Sequence, residues 1–314
     1  MENQQGYFKE VVLMNRVTPR GVFAAALTPL KQDGSLDLDQ VGPYLSFLAQ
    51  RGCHGALLFG TTGEGPSFSP AERVMLGRAA LEVRQKHPDF MLLMGTGTPS
   101  LAETIELTRA AFDLGMDGVV VLPPYFNRKV SDEGLFHWFS RVIEAAVPGD
   151  GFLLGYHIPQ MTGVHLSLVL LDRLKSAYAG RFAGLKNSWT EQSFVEALGE
   201  RFGPDLVVMT GYDNFFQLSL NKHASGCITA SATLISPLLR KVWDLFTAGQ
   251  DPTEAQAEVN RIRAVMDSYA PAPALVKGLL ARWHGFPRWA VCPPLVSTAD
   301  DALDQAAEQL QGPF

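Results

Sequence analysis

Eight short apolar runs punctuate this chain, at residues 21–27, 55–59, 90–95, 118–122, 152–156, 182–186, 206–210 and 226–230. Runs of this length and composition read as parallel strands covered on both faces, and stretches with helical spacing separate most of them. A helix is expected over 38–51 after a cap signal at Asp37, and another over 101–114, where Ile105, Thr108, Ala111 and Phe112 recur at helical spacing. A third begins at Pro70, because Ser69, Pro70 and Glu72 form a capping-box pattern. Eight β/α units in succession point to an α/β fold, a TIM (β/α)8 barrel. A doubly wound sheet is the rival, and the count of eight favours closure.

After residue 235 the strand signals stop. PLLRKVWDLFTAG, DPTEAQAEVNRIRAVMDSYA, PALVKGLLARWHG and TADDALDQAAEQLQ read as three or four helices broken by Pro and Gly. The expected organisation is an N-terminal extension over 1–15, a barrel over 16–234 and a C-terminal helical appendage over 235–314 whose apolar faces pack on the barrel.

Several function classes fall away on composition. A net charge of −6 without any cluster of Lys and Arg argues against a nucleic-acid partner. No apolar run is long enough to span a bilayer, and MENQQGYFKEVVLMNR has acidic and polar residues where a signal peptide carries basic ones, so a soluble, cytoplasmic protein is expected. Cys53, Cys227 and Cys292 are far apart and odd in number, which supports neither a disulfide framework nor a thiolate zinc site. The seven histidines show no metal-ligand spacing, so no metal is expected.

In a barrel, chemistry belongs at the C-terminal rim. The loop Gly60-Thr61-Thr62-Gly63-Glu64-Gly65 offers backbone N–H groups and two hydroxyls that could grip a carboxylate, or it is an ordinary tight turn; it matches neither the phosphate-loop nor the dinucleotide fingerprint. The sixth run ends FAGLKNSW, with Lys186 leaving an apolar strand. A lysine in a barrel mouth is partly desolvated, which disfavours the ammonium form and favours the neutral amine that attacks a carbonyl to form a Schiff base. A rim lysine whose stem covers apolar surface is the alternative. Tyr156 ends the preceding strand and is placed to pass protons, or is a half-buried aromatic with a satisfied hydroxyl. Alternation turns His157 away from Tyr156, so His157 is read as structural.

GVFAAALTPL, FGTTGEGPSFS, PPYFNR, YHIPQMTG, GLKNS, TGYDN and GCITASA occur in this order, and together they resemble the dihydrodipicolinate synthase and N-acetylneuraminate lyase family of Schiff-base-forming class I aldolases and lyases. The resemblance runs from about Gly21 through Ser231 and more loosely into the helical tail. It implies a covalent imine between Lys186 and pyruvate or another 2-oxo acid, proton transfer by Tyr156, and a carboxylate site at Thr61 and Thr62 with the backbone of Gly60 and Gly63. It also implies that Gly211 and Ile228 line the pocket, that the chain forms a dimer or tetramer, and that no cofactor is needed.

Two positions depart from the synthase branch of that family. Phe126 stands beside Tyr125 where the branch has an interface tyrosine, and Phe126 can exchange no proton. Met161 stands where the branch has an arginine that clamps the second substrate's carboxylate. The segments GTTGEGPSFS and FPRWAVCPP look more like the branch that cleaves 2-keto-3-deoxy sugar acids. A lyase joining or cleaving a 2-oxo acid and an aldehyde is therefore expected. The alternatives are the synthase itself, a 2-keto-3-deoxy acid dehydratase, and a 2-oxo acid sensor without turnover.

Overall fold

The computed structural model describes residues 18–314, so the N-terminal extension expected over 1–15 lies outside the described residues. Eight parallel strands close into a barrel in sequence order: β1 (Gly21–Ala25), β2 (Gly55–Leu58), β3 (Met91–Gly95), β4 (Gly118–Val121), β5 (Leu153–His157), β6 (Phe182–Asn187), β7 (Val207–Thr210) and β8 (Gly226–Thr229). All eight expected strands are present, and β8 pairs back on β1 through Gly226 and Gly21. Closure removes the two free edges that an open sheet would present.

Alternation sorts each strand into an inner and an outer set. Phe23, Leu57, Leu93, Val120, Leu154, Tyr156, Met209 and Ile228 fill the barrel interior. Val22, Ala24, Leu153, Leu185 and Val208 face the surrounding helices. Gly184 permits the close approach of β6 to β7, because a Cβ there would lie 1.9 Å from the carbonyl oxygen of Val207.

The helices of the outer layer are α1 (Val41–Gln50), α2 (Pro70–Ala80), α3 (Leu101–Leu114), α4 (Asp132–Ala146), α5 (Pro159–Thr162), α6 (Leu168–Ala177), α7 (Gln192–Phe202), α8 (Phe216–Asn221) and α9 (Ala232–Thr247). The capping box at the start of α2 is complete: the Ser69 hydroxyl accepts from the Glu72 N–H, and the Glu72 carboxylate accepts from the Ser69 N–H at 2.9 Å. The expectation for Asp37 is corrected. A separate 3-10 turn over Leu38–Gln40 precedes α1, and the Asp37 side chain makes no capping bond. Pro43 has no N–H to donate and therefore belongs in a first helical turn, which starts α1 at Val41.

Three further helices follow, α10 (Thr253–Ser268), α11 (Ala272–His284) and α12 (Asp300–Leu310). The change expected at residue 235 falls within α9, which packs on β1 and is kinked at Ile235. Pro237 lies two residues beyond the kink, where its missing N–H opens the preceding turn. Among the described residues no helix is long and apolar enough to cross a membrane.

Candidate active site

The register of β5 and β6 sets the site. Tyr156 pairs with Lys186, and His157 pairs with Asn187 one step on. Because side chains alternate, the first pair points into the barrel and the second points out. Lys186 is only 2% exposed, and its Nζ stands 4.1 Å from the centre of the Tyr156 ring. The Tyr156 hydroxyl is hydrogen-bonded to Thr61 Oγ1 at 3.1 Å, across the barrel mouth from the loop after β2.

Burial alone would raise the Tyr156 phenol. The positive charge of Lys186 and the hydroxyls of Thr61 and Ser188 outweigh it and bring the phenol below its ordinary 10. A phenol so placed gives up and recovers a proton more readily than a free one.

Glycines keep this space open. A Cβ on Gly211 would meet Ser188 Oγ at 1.9 Å and Lys186 Cε at 3.2 Å, so any larger residue displaces the amine or the serine. A Cβ on Gly60 would lie 4.0 Å from Lys186 Nζ, which puts the start of the glycine-rich loop beside the amine. Thr62 and Gly63 are buried in that loop, and the Gly63 carbonyl accepts from Thr28 Oγ1 at 2.6 Å. Ile228 closes the floor as part of the inner cluster.

Lys186, Tyr156, Thr61, Gly60 and Gly211 thus converge on one opening. The positions singled out for specificity do not join them within one chain: Phe126 is 83% exposed and Met161 62% exposed. Tyr125 is partly buried, and burial raises its phenol against the nearby charge of Arg73. Arg73, on α2, is itself buried and donates to the carbonyls of Phe68 and Gly95.

His157 faces the helical layer. Its ring lies among Phe194, Trp189 and His165, with centroids 4.7, 5.5 and 5.7 Å away, and Nδ1 lies 2.9 Å from Asn187 Oδ1. Burial, against the hydrogen bond to Asn187, depresses the imidazole to about 4. It is neutral at physiological pH.

Sequence reasoning missed three groups. Ser188 follows Lys186 by two residues, so the alternation that places the lysine inside could have placed this hydroxyl too. Glu64, inside the glycine-rich loop, forms a buried ion pair with Lys277 of α11, with Nζ 2.6 Å from Oε1. Asp213, just after β7, is fully buried and pairs with Arg263 of α10 at 2.7 Å. Neither pair has a local sequence signature. Among the described residues no cluster of three or more His, Cys, Asp or Glu side chains could hold a metal ion.

Comparison with known proteins fits this geometry. Residues 18–312 match the model of the dihydrodipicolinate synthetase family. A protein of Chloroflexus aurantiacus named uncharacterized DapA-like lyase is 36% identical over 93% of this chain and 97% of its own length. The 4-hydroxy-tetrahydrodipicolinate synthase of a Synechococcus strain is 31% identical over 90% of this chain and 92% of its own length. The crystal structure of dihydrodipicolinate synthase from Agrobacterium tumefaciens superposes with a TM-score of 0.83 at 27% identity, covering 94% of this chain and 100% of that one. The chain is a member of the dihydrodipicolinate synthetase family and an enzyme of the class I lyase type.

Proposed function

We propose that the protein is a Schiff-base lyase that cleaves or condenses pyruvate, or a related 2-oxo acid, with an aldehyde. One observation carries this reading: a nearly inaccessible lysine amine lies against a tyrosine whose hydroxyl is hydrogen-bonded to Thr61 of the glycine-rich loop. The neutral Lys186 amine attacks the keto carbon, the oxygen leaves as water, and an iminium forms on Nζ. In the cleavage direction the hydroxyl on C4 gives up its proton, the electrons of the C3–C4 bond flow into the iminium at C2, and C4 departs as the aldehyde. The resulting enamine takes a proton, and water hydrolyses the imine to free pyruvate and amine.

Tyr156 is the group placed to move the protons of these steps, with Thr61 holding its hydroxyl. Thr61, Thr62 and the backbone of Gly60 and Gly63 are assigned to the keto acid's carboxylate, and Gly211 and Ile228 to the walls around its carbon atoms. The reaction so written needs neither a metal nor an organic cofactor. Homo-oligomerisation, as a dimer or tetramer, belongs to the same proposal, since exposed Phe126 is apolar surface that a second copy could cover.

The second reading is synthesis of 4-hydroxy-tetrahydrodipicolinate, favoured by the name of the Synechococcus relative. Met161 and Phe126 supply neither the charge nor the hydroxyl that an aspartate semialdehyde site would use, which favours an uncharged partner such as the aldehyde half of a 2-keto-3-deoxy sugar acid. Borohydride reduction with pyruvate, followed by mass mapping, tests the mechanism: a single adduct on Lys186 is expected, and label scattered over surface lysines would refute it. Condensation with aspartate semialdehyde at no more than background rate removes the second reading. Release of pyruvate from a 2-keto-3-deoxy acid distinguishes cleavage from dehydration.

A further inference from the structure

The glycine-rich loop makes an unusual demand on its backbone. Glu64 sits in the left-handed region, with φ 55 and ψ 29, although it is not glycine. Its N–H donates to the Thr61 carbonyl at 3.1 Å, and the Gly65 N–H reaches back to Gly60 at 3.1 Å, which winds residues 60–65 into one tight turn. That turn presents Thr61 Oγ1 to the Tyr156 hydroxyl.

The Glu64 side chain runs the other way, out of the loop and into the helical region. Both carboxylate oxygens are engaged: Oε1 by Lys277 Nζ and Oε2 by the Cys292 N–H, each at 2.6 Å. Lys277 Nζ also donates to the Ala290 carbonyl at 2.6 Å, and both charged side chains are almost completely buried. The segment at Ala290 is anchored in turn to the barrel, its N–H donating to the Leu30 carbonyl and the neighbouring Trp289 ring packing 5.3 Å from Tyr44. Two charges withdrawn from water rarely stabilise a fold better than a well-packed apolar pair would. What a fully hydrogen-bonded pair does supply is a fixed geometry.

We propose that Glu64 and Lys277 are positioning residues of the active site: clamped between α11 and the segment 290–292, the pair holds the loop in the conformation that receives the carboxylate of a 2-oxo acid. Neither residue touches substrate. The assignment rests on the lyase reading above and makes the C-terminal helices a structural part of the catalytic site.

The test is the pyruvate concentration that half-saturates borohydride trapping on Lys186, measured with the wild type, with Glu64→Gln, and with the double variant Glu64→Gln/Lys277→Met. Thermal melting and circular dichroism report folding. Both variants are expected to fold, to reach full trapping at saturating pyruvate, and to need at least about tenfold more pyruvate for half-saturation. The conservative single variant Lys277→Arg keeps a cation opposite Glu64 and should retain most of the wild-type affinity.

A wild type that traps no pyruvate refutes the lyase reading and this assignment with it. A wild type that traps, alongside folded variants with unchanged half-saturation, overturns this assignment alone. Variants that do not fold at all make the pair a requirement of the fold and overturn a positioning role as well.

Discussion

Lys186 and Lys277 are the two buried lysines among the described residues, and their surroundings are opposites. Lys277 is held by a carboxylate and a backbone carbonyl, so its charge is answered on two sides. Lys186 comes off an apolar strand, faces a tyrosine ring and hydroxyl, and forms no ion pair within the described residues. Both lie deep in the protein, and only Lys186 lies beside the glycine-rich loop and the Tyr156 ring, clear of any carboxylate among the described residues. Burial alone therefore does not mark a reactive amine. The partner does: at Lys277 the Glu64 carboxylate opposes the lowering that burial imposes and occupies the amine, whereas Lys186 has no carboxylate beside it among the described residues.

The largest effect that could break this contrast is loss of activity in Lys186→Ala. The change should reduce turnover by at least about a thousandfold, as removal of a covalent nucleophile commonly does, while leaving the melting temperature near that of the wild type. Turnover that survives the substitution would make Lys186 no different in kind from Lys277.

Tyr156→Phe comes next. Losing a positioned acid–base group should lower kcat by about 10²- to 10⁴-fold with a smaller change in pyruvate affinity. The pH–rate profile should also lose its alkaline limb, which the lowered phenol of Tyr156 places below 10 in the wild type. Equal losses in binding and turnover would remove the proton role.

Lys277→Met measures the other side of the contrast. Taking one partner from a buried pair leaves Glu64 charged and unanswered, which should destabilise the fold by about 3–5 kcal/mol. Adding Glu64→Gln should recover much of that loss, since the double variant buries no lone charge. Denaturant titration of the two variants reads the difference, and strictly additive losses would show that the two side chains act independently.

What could be read in the sequence follows the same division. The eight strands, the Ser69 cap and the inward face of Lys186 and Tyr156 depend on neighbours within a few residues, and all of these were legible as pattern. The register that sets Tyr156 beside Lys186 needed only the alternation of two adjacent strands. Glu64 and Lys277 stand 213 positions apart, and nothing near either one announces the other. Arg73 was equally silent, because its partners are backbone carbonyls that every residue has. Asp37 misled for a local reason: the cap signal was present, but Pro43 set the first helical turn later.

His157 adds a third way of burying a basic side chain, neither paired with a carboxylate nor exposed to substrate. It stays neutral, caged by aromatic rings, and its folded imidazole takes up a proton only near pH 4. An unfolded chain protonates the same ring near its ordinary 6.5. Between those values the unfolded state binds more protons, so stability should fall as the pH drops from 6.5 toward 4, by up to on the order of 3 kcal/mol. His157→Phe keeps an aromatic ring in the cage and removes the titration, and should therefore flatten this window while leaving the loss from carboxylates at lower pH in place. Melting curves of the two proteins from pH 7 to 4 compare the slopes directly. If the slopes are the same, His157 is not held neutral by burial. The cage would then have to admit a charge, as the buried Glu64–Lys277 and Asp213–Arg263 pairs do.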